Sequence, residues 1–325
     1  MSIKFTKNSR TSESINSKFR SRFAERFLNN QPLALYVSAS VGGVSEYVVI
    51  ATSPEDLTDA AEIAVENKLE YAVIGGGTGT LPSEVGFPGL VIVNRSSGIS
   101  FTQGSSVVTV SSGTTNQALL TAAASKNLGG IEFLSNVPGS IGGAVVSNAT
   151  VGNLSISAHV KDVTCWVTDG EEHKIVTITG AELQFKPYDS LLTRPSIFPP
   201  VILNVKLQFA LLPQEEIVRR LHINKARSAL VNLSQPQVGS LTRPAFEAQP
   251  SLHPAGRKLR VLGLKFNPTT GIATATGRVG SSTYRELIEQ LRQLAAGYGI
   301  ELEERMSYLG YWPSKEEDNA PIRHG

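Results

Sequence analysis

The chain has 325 residues, of which 30 are lysine or arginine and 28 are aspartate or glutamate, so its formal net charge is only +2. This balance gives no indication of a nucleic-acid or anionic-membrane partner, and the single cysteine, Cys165, excludes an intramolecular disulfide and a cysteine-built metal site. No apolar run reaches transmembrane length and the N-terminus lacks the apolar segment of a secretory signal, so we expect a cytoplasmic protein.

The first 30 residues are polar and are predicted to form an arm. Phe19, Phe23 and Phe27 recur every four residues, which places them on one face of a helix predicted over 17–28. We expect this helix to dock on the surface of the domain that follows. A targeting helix or a helix that binds a partner is the alternative.

Runs of apolar and β-branched residues predict strands further along the chain, and apolar residues at helical spacing predict helices between them. The predicted strands are 33–49, as two segments around Gly42-Gly43, then 71–74, 90–93, 106–110, 160–167, 174–178, 201–211 and 301–306. The predicted helices are one that opens at the capping residue Ser53, then 114–126, 213–230 and 282–298. This order indicates an α+β fold in which loops carry the ligand. Cys165 lies within one of the strands, so we expect a packed core residue rather than a nucleophile.

Two glycine-rich stretches, 73–80 and 137–149, follow or flank strand-like sequence. Glycine lets the backbone approach a ligand closely, and successive N–H groups in such a loop form a concave anion site. Two such loops in one domain predict a pyrophosphate held between them. The alternative is a pair of tight turns with no ligand.

These stretches and their neighbours resemble the UDP-N-acetylenolpyruvoylglucosamine reductase (MurB) family, part of a wider group with a vanillyl-alcohol-oxidase-type (PCMH-type) FAD-binding domain. The most specific match is Ile131-Glu132-Phe133 followed by 137–144 and Asn148-Ala149, and the similarity covers residues 31–311. The resemblance implies an FAD-binding domain over 31–212, in two subdomains split near residue 105. It implies a smaller α+β substrate domain over 213–314, followed by a mobile tail over 315–325.

The resemblance also implies that FAD binds without a covalent link, with NADPH as its reductant and a small molecule as substrate. The two glycine loops would wrap the pyrophosphate with N–H groups, Gly42 and Gly43 would lie near the cofactor, and Asn148 would close the site. The implied cofactor-binding residues are Gly42, Gly43, Gly75, Gly76, Gly77, Thr78, Gly79, Thr80, Pro138, Gly139, Ser140, Ile141, Gly142, Gly143, Ala144 and Asn148. The five histidines are scattered, and no spacing predicts a metal site.

The implied catalytic residues follow the family pattern in part. Ser240 falls at the position of the family's proton-donating serine. Tyr188 stands where the family pattern F-x-Y-R-x-S has its arginine, and Arg305 stands at the second glutamate of L-E-P-E-V, with Glu304 beside it. A phenol in place of a guanidinium loses a fixed charge, and a cation in place of a carboxylate reverses the local field.

Three functions remain open from the sequence. The first is a flavoenzyme that has changed substrate, in which Tyr188 and Arg305 face the flavin ring and recognise a different, anionic molecule. The second is the peptidoglycan-precursor reductase itself, with compensating residues. The third is a flavin- or nucleotide-binding protein without catalysis, because proteins of one fold can keep the cofactor-binding residues and lose the catalytic ones.

Overall fold

The computed structural model of the protein describes residues 9–194, 196–228, 235–239, 241–243 and 245–312. Helices and strands are mixed along these ranges, and the predicted α+β class is confirmed. The helices are α1 (Ser9–Phe23), α2 (Pro54–Glu66), α3 (Asn116–Ala124), α4 (Ile141–Val146), α5 (Gln214–Ser228), α6 (His253–Gly256) and α7 (Ser281–Ala296). The strands are β1 (Phe27–Pro32), β2 (Val44–Ala51), β3 (Tyr71–Ile74), β4 (Thr80–Pro82), β5 (Phe87–Asn94), β6 (Ile99–Phe101), β7 (Val107–Ser111), β8 (Leu128–Gly129), β9 (Thr150–Val151), β10 (Leu154–Ser155), β11 (Val160–Thr168), β12 (His173–Thr179), β13 (Val201–Gln208), β14 (Ala210–Leu211), β15 (Gln237–Val238), β16 (Thr242–Arg243), β17 (Leu264–Asn267), β18 (Ile272–Ala275), β19 (Glu303–Glu304) and β20 (Ser307–Leu309).

The first sheet has the strand order β1–β2–β5–β3, with β2, β5 and β3 parallel to one another. Helix α2 begins as predicted, because the Ser53 side chain accepts the N–H of Asp56 and Pro54 occupies the first helical turn. The alanine-rich face of α2 and Leu57 pack onto this sheet. Since β3 and β5 are parallel neighbours, the loops that follow them leave the same edge of the sheet.

The predicted helix over 17–28 is displaced in the structure. Helix α1 ends at Phe23, Ala24 adopts a positive φ of 49°, and Phe27 lies on β1 opposite Val49. The chain leaves the helix here because β1 pairs as an edge strand with β2, which satisfies its backbone and still buries Phe27. Phe19, Phe23 and Phe27 all reach the core.

The second sheet has the order β12–β11–β13–β7–β6 and is antiparallel throughout. Cys165 lies on β11, an inner strand of this sheet, and is fully buried, as predicted for a core residue. The first sheet ends at Asn94 and the second begins at Ile99, a few residues before the predicted split near 105. The division into domains stays a prediction.

The C-terminal part packs on the first sheet. Strand β20 pairs in parallel with β4, and α7 shares one hydrophobic cluster with β4 and the first sheet, through Leu287 and Leu291 of α7, Leu81 of β4 and Val91 of β5. The glycine loop before β4 is therefore fixed by both parts of the chain.

Two predicted strands differ in the structure. The segment over 33–43 is not a strand, because Leu33–Leu35 forms a 3-10 turn and the Leu33 N–H donates to the carbonyl of Gly43. The strand predicted over 301–306 is divided, since β19 pairs with β16 while β20 pairs with β4. No helix in the described residues is long and apolar enough to cross a membrane.

Candidate active site

The two glycine loops touch each other. A Cβ built on Gly76 would lie 2.6 Å from the Cα of Gly139, and one on Gly75 would lie 2.2 Å from the Ser140 Oγ. The Thr78 hydroxyl donates to the Pro138 carbonyl at 3.0 Å. Glycine is required at 75 and 76 because a side chain there would force the two loops apart.

The two glycine loops differ in how their backbone N–H groups are used. The Ile141 and Gly142 N–H groups donate to the carbonyls of Thr114 and Ser112 at 2.9 and 2.7 Å. In contrast, the N–H groups of residues 75–79 donate to no other residue within the described ranges. The outer surface here consists of exposed glycines and exposed backbone, namely Gly76, Gly79 and Gly143. Converging N–H groups with room in front of them suit an anion.

Other predicted cofactor residues serve the frame of the loops. Thr80 begins β4 opposite Ser307, and Ile141, Gly142 and Ala144 are buried in α4 against the second sheet. Ser140 caps α4 by accepting the Gly143 N–H at 3.4 Å. These contacts hold the loops in place, and the predicted role of these residues in cofactor binding stays a prediction.

Gly42 and Gly43 pack against the turn over 82–86. A Cβ on Gly43 would lie 2.2 Å from the carbonyl oxygen of Glu84, and Gly42 has a φ of +114° with its Cα against Pro82. The Gly43 N–H donates to the Ser83 carbonyl at 2.8 Å. These contacts account for both glycines without a ligand.

Asn148 connects the second loop to a pocket of about 400 Å³. Its side-chain amide donates to the Lys186 carbonyl at 2.7 Å, and its side-chain carbonyl accepts the Ser157 N–H at 3.2 Å. The pocket is lined by Asn148, Thr150, Gly152, Asn153, Ser155, Ser157, Phe185, Lys186, Pro187 and Tyr188. Asn148 therefore positions the turn that carries Tyr188.

Tyr188 lies at the tip of a tight turn on the wall of this pocket. Lys186 and Asp189 exchange backbone hydrogen bonds of 3.0 and 3.1 Å around Pro187 and Tyr188. Tyr188 has a φ of 59°, the left-handed conformation that such a turn normally assigns to glycine or asparagine. A bulky residue there stores backbone strain, which accumulates at functional sites.

Arg305 lies over the ring of Tyr188, with its guanidinium carbon 4.2 Å from the ring centroid. Burial lowers the pKa of Arg305, while Tyr188 and Glu247 act in the opposite direction. Burial raises the pKa of Tyr188, Arg305 lowers it and Glu247 raises it, so the phenol stays protonated at neutral pH. The structure thus brings together two of the predicted catalytic residues and adds the carboxylate of Glu247.

Glu304 faces away from this pair. Its carboxylate accepts a hydrogen bond from the Tyr308 hydroxyl, and its backbone pairs with Thr242 in the short β16–β19 ladder. The Tyr308 ring in turn meets Trp312 edge to face. Ser240 lies outside the described residues. The next residue in the chain, Leu241, accepts a hydrogen bond of 3.0 Å at its carbonyl from the Arg305 N–H.

Sequence reasoning missed Glu247 and Arg95. Glu247 lies beside Gly271, where a Cβ would come within 2.1 Å of the carboxylate, so Gly271 leaves room for that side chain. Arg95 follows β5, and its Nη1 donates to the carbonyl of Gly75 at 2.7 Å. No spacing in the sequence connects either residue to the site, although the parallel order of β3 and β5 gives a signal for Arg95.

The described residues hold no group of three or more histidine, cysteine, aspartate or glutamate side chains that could bind a metal ion. Comparison with known proteins bears on the cofactor that the resemblance implies. Residues 45–175 match the family model of an FAD-binding domain.

The UDP-N-acetylenolpyruvoylglucosamine reductase 1 of Bacillus cereus is 30% identical to this chain over 242 residues, which cover 74% of this chain and 77% of that protein. This chain belongs to the UDP-N-acetylenolpyruvoylglucosamine reductase (MurB) family. A MurB-family relative from Trichlorobacter lovleyi is 37% identical over a shorter match, 45% of this chain and 48% of that protein. The MurB crystal structure from Thermus caldophilus superposes with a TM-score of 0.69 at 23% identity and covers 86% of this chain and 98% of that one, which shows a common fold.

Membership of the MurB family confirms FAD as the cofactor implied by the sequence. The residues present fit that group, since a diphosphate needs several donors and the loop over 75–79 offers unpartnered N–H groups at its contact with Gly139. The assignment of individual cofactor and catalytic residues stays a prediction. The departure from the MurB pattern at Tyr188 and Arg305 stays a prediction as well.

Proposed function

We propose that this protein is an FAD-dependent oxidoreductase of the MurB type whose substrate is an anionic small molecule other than the one named for the family. The observation that carries this proposal is the stack of Arg305 on Tyr188, and Tyr188 lines the 400 Å³ pocket. A guanidinium held against an aromatic ring keeps its charge and its fork of donors, and both favour a carboxylate or phosphate.

The residues of the site have separable roles in this proposal. The glycine loops hold the diphosphate of FAD, which when bound supplies hydride transfer at flavin N5. Arg305 attracts the anionic group of the substrate, and the protonated hydroxyl of Tyr188 orients it by a hydrogen bond. Asn148 fixes the turn on which Tyr188 lies. Glu247 limits the positive charge near Arg305.

The alternative is the activity that the family name describes, reduction of UDP-N-acetylenolpyruvoylglucosamine with NADPH as the proposed reductant. Family membership supports it as well as it supports the first proposal. In this case Arg305, which directly follows β19, supplies the cation that the family pattern places at position 188. Glu304 is held by Tyr308 and does not face Tyr188.

An absorption spectrum followed by anaerobic addition of NADPH separates these functions. A yellow protein that bleaches with NADPH and is reoxidised by the enolpyruvyl sugar nucleotide is the family reductase. Bleaching followed by reoxidation only with other anionic, unsaturated small molecules supports the changed substrate. A yellow protein that reacts with none of them in either direction is a flavin-binding protein, and the proposed function is then wrong.

Variants of Arg305 test its role in either reaction. Arg305→Gln removes the charge, and we expect the KM for an anionic substrate to rise about tenfold or more while FAD content is unchanged. Arg260→Gln is the matched control, because Arg260 is exposed and, among the described residues, its Nη1 donates to the backbone carbonyls of Arg257 and Leu259 alone. Equal KM values in the two variants would contradict the role of Arg305.

A further inference from the structure

Arg95 lies at the carboxyl edge of the parallel strands, beside the first glycine loop. Strands β3 and β5 pair in parallel with Ile74 opposite Val93, so Gly75 and Arg95 leave the sheet next to each other. The Arg95 Nη1 donates to the Gly75 carbonyl at 2.7 Å and lies 3.5 Å from the Asn94 carbonyl. Ligands of open parallel sheets bind outside this edge.

The backbone that carries Arg95 is held rigidly. Its N–H donates to the Ala51 carbonyl at 2.7 Å. The preceding residue, Asn94, is buried, donates to the Ser112 hydroxyl at 2.7 Å and accepts the N–H of Ser96 at 3.0 Å. Ser112 also accepts the Gly142 N–H from the second glycine loop. The position of Arg95 is therefore tied to both loops before any ligand binds.

The guanidinium of Arg95 keeps most of its capacity for a ligand. Its side chain is exposed, its Nε and Nη2 donate to no other residue in the described ranges, and it forms no ion pair with a carboxylate there. Burial raises the pKa of the neighbouring phenol of Tyr36, and the charge of Arg95 acts against that rise. One edge of the guanidinium thus braces the loop and the other remains available.

We propose that Arg95 is a binding residue for the diphosphate of FAD and provides the positive charge at a loop that otherwise offers only N–H groups. The proposal rests on the FAD-dependent part of the proposed function and adds a residue that the glycine pattern does not include. A charge-assisted hydrogen bond to phosphate is about twice as strong as a neutral one and weakens with salt.

The test is titration of FAD and of riboflavin, which lacks phosphate, into flavin-free protein, followed by flavin fluorescence at low and high salt. We expect Arg95→Gln to raise the Kd of FAD about tenfold at low salt, to reduce its dependence on salt and to leave the Kd of riboflavin unchanged. Arg95→Lys keeps the charge and a donor, so its Kd for FAD should lie between those of the wild-type protein and Arg95→Gln. Arg260→Gln is the control, and the Tm of each flavin-free variant checks its folding.

The outcomes separate the possible roles. An unchanged Kd for FAD in Arg95→Gln overturns the proposal. An equal loss of FAD and riboflavin affinity in that variant also overturns it, because Arg95 would then only brace the loop. Wild-type protein that binds no FAD overturns both this inference and the proposed function. If wild type binds FAD with the expected differences but never turns over, only the proposed function fails.

Discussion

Arg305 and Tyr188 are far apart in the chain, yet the guanidinium of one lies 4.2 Å from the ring centroid of the other. Both stand at positions where we predict that the sequence departs from the family pattern. The contact is formed because the segment after β19 reaches the turn after Pro187, and that turn lies on the wall of the pocket. Tyr188 holds this position with a positive φ, at a cost to the backbone that a function of its side chain would explain.

The strain at position 188 can be measured with two variants that both remove the ring. Tyr188→Gly suits a φ of 59°, whereas Tyr188→Ala keeps a Cβ in that conformation. We expect the glycine variant to have the higher free energy of unfolding by about 1 kcal/mol, as measured by urea denaturation. Equal stability of the two variants would mean that the turn carries no strain. Tyr188→Phe keeps the stack on Arg305 and tests the hydroxyl alone.

The contact between the glycine loops predicts different effects for two neighbouring glycines. A Cβ at Gly76 would lie 2.6 Å from the backbone of Gly139, whereas nothing lies within 4 Å of one at Gly79. Gly76→Ala should separate the loops and lower FAD affinity by at least about tenfold in a fluorescence titration. Gly79→Ala is the control for the loop contact. If Gly76→Ala binds FAD as tightly as the wild-type protein, the contact between the loops is not needed for the cofactor.

Asp56 predicts a pH dependence of stability. Burial would raise the pKa of Asp56, but hydrogen bonds from Arg26 and Thr52 outweigh it and the pKa is lowered. Because the pKa of Asp56 is lower in the folded than in the unfolded protein, its ionisation stabilises the folded protein at pH values above the unfolded-state pKa of about 3.9. This stabilisation is lost as the pH falls through the folded-state pKa. Urea denaturation of Asp56→Asn at pH 7 should show a loss of about 1.5–3 kcal/mol that shrinks on acidification.

The control for Asp56 is Asp59, which is more exposed and pairs with Arg22. Asp59→Asn should cost less than about 1 kcal/mol, because exposed ion pairs contribute little. A loss of stability in Asp56→Asn that is the same at pH 3 and pH 7 would contradict the linkage.

Cys165 should be inert in the folded protein. It is fully buried on β11, and burial raises its pKa to about 12. Because the thiolate is the reactive form, a disulfide reagent at pH 8 should label no thiol until denaturant is added, and then one. Rapid labelling of the native protein would mean that the second sheet opens near β11.

Local signals predicted the elements around the site well. The cap at Ser53 and the strand over 71–74 depend on residues close in the chain, and the structure has both as predicted. The arm was predicted less well. The spacing of Phe19, Phe23 and Phe27 correctly marked buried residues, but β1 takes Phe27 because pairing with a distant strand satisfies its backbone.

The sequence by itself determined the α+β class, because strand and helix periodicity is read from residues a few positions apart. Its resemblance to the MurB family implied FAD, and the comparisons with known proteins confirm both the family and the cofactor. Only the tertiary structure decided that Arg305 stacks on Tyr188, that Glu304 turns to Tyr308, and that Arg95 reaches Gly75. Side-chain contacts of this kind depend on which strands pair and where loops meet, and these are long-range choices made by burial and backbone hydrogen bonding.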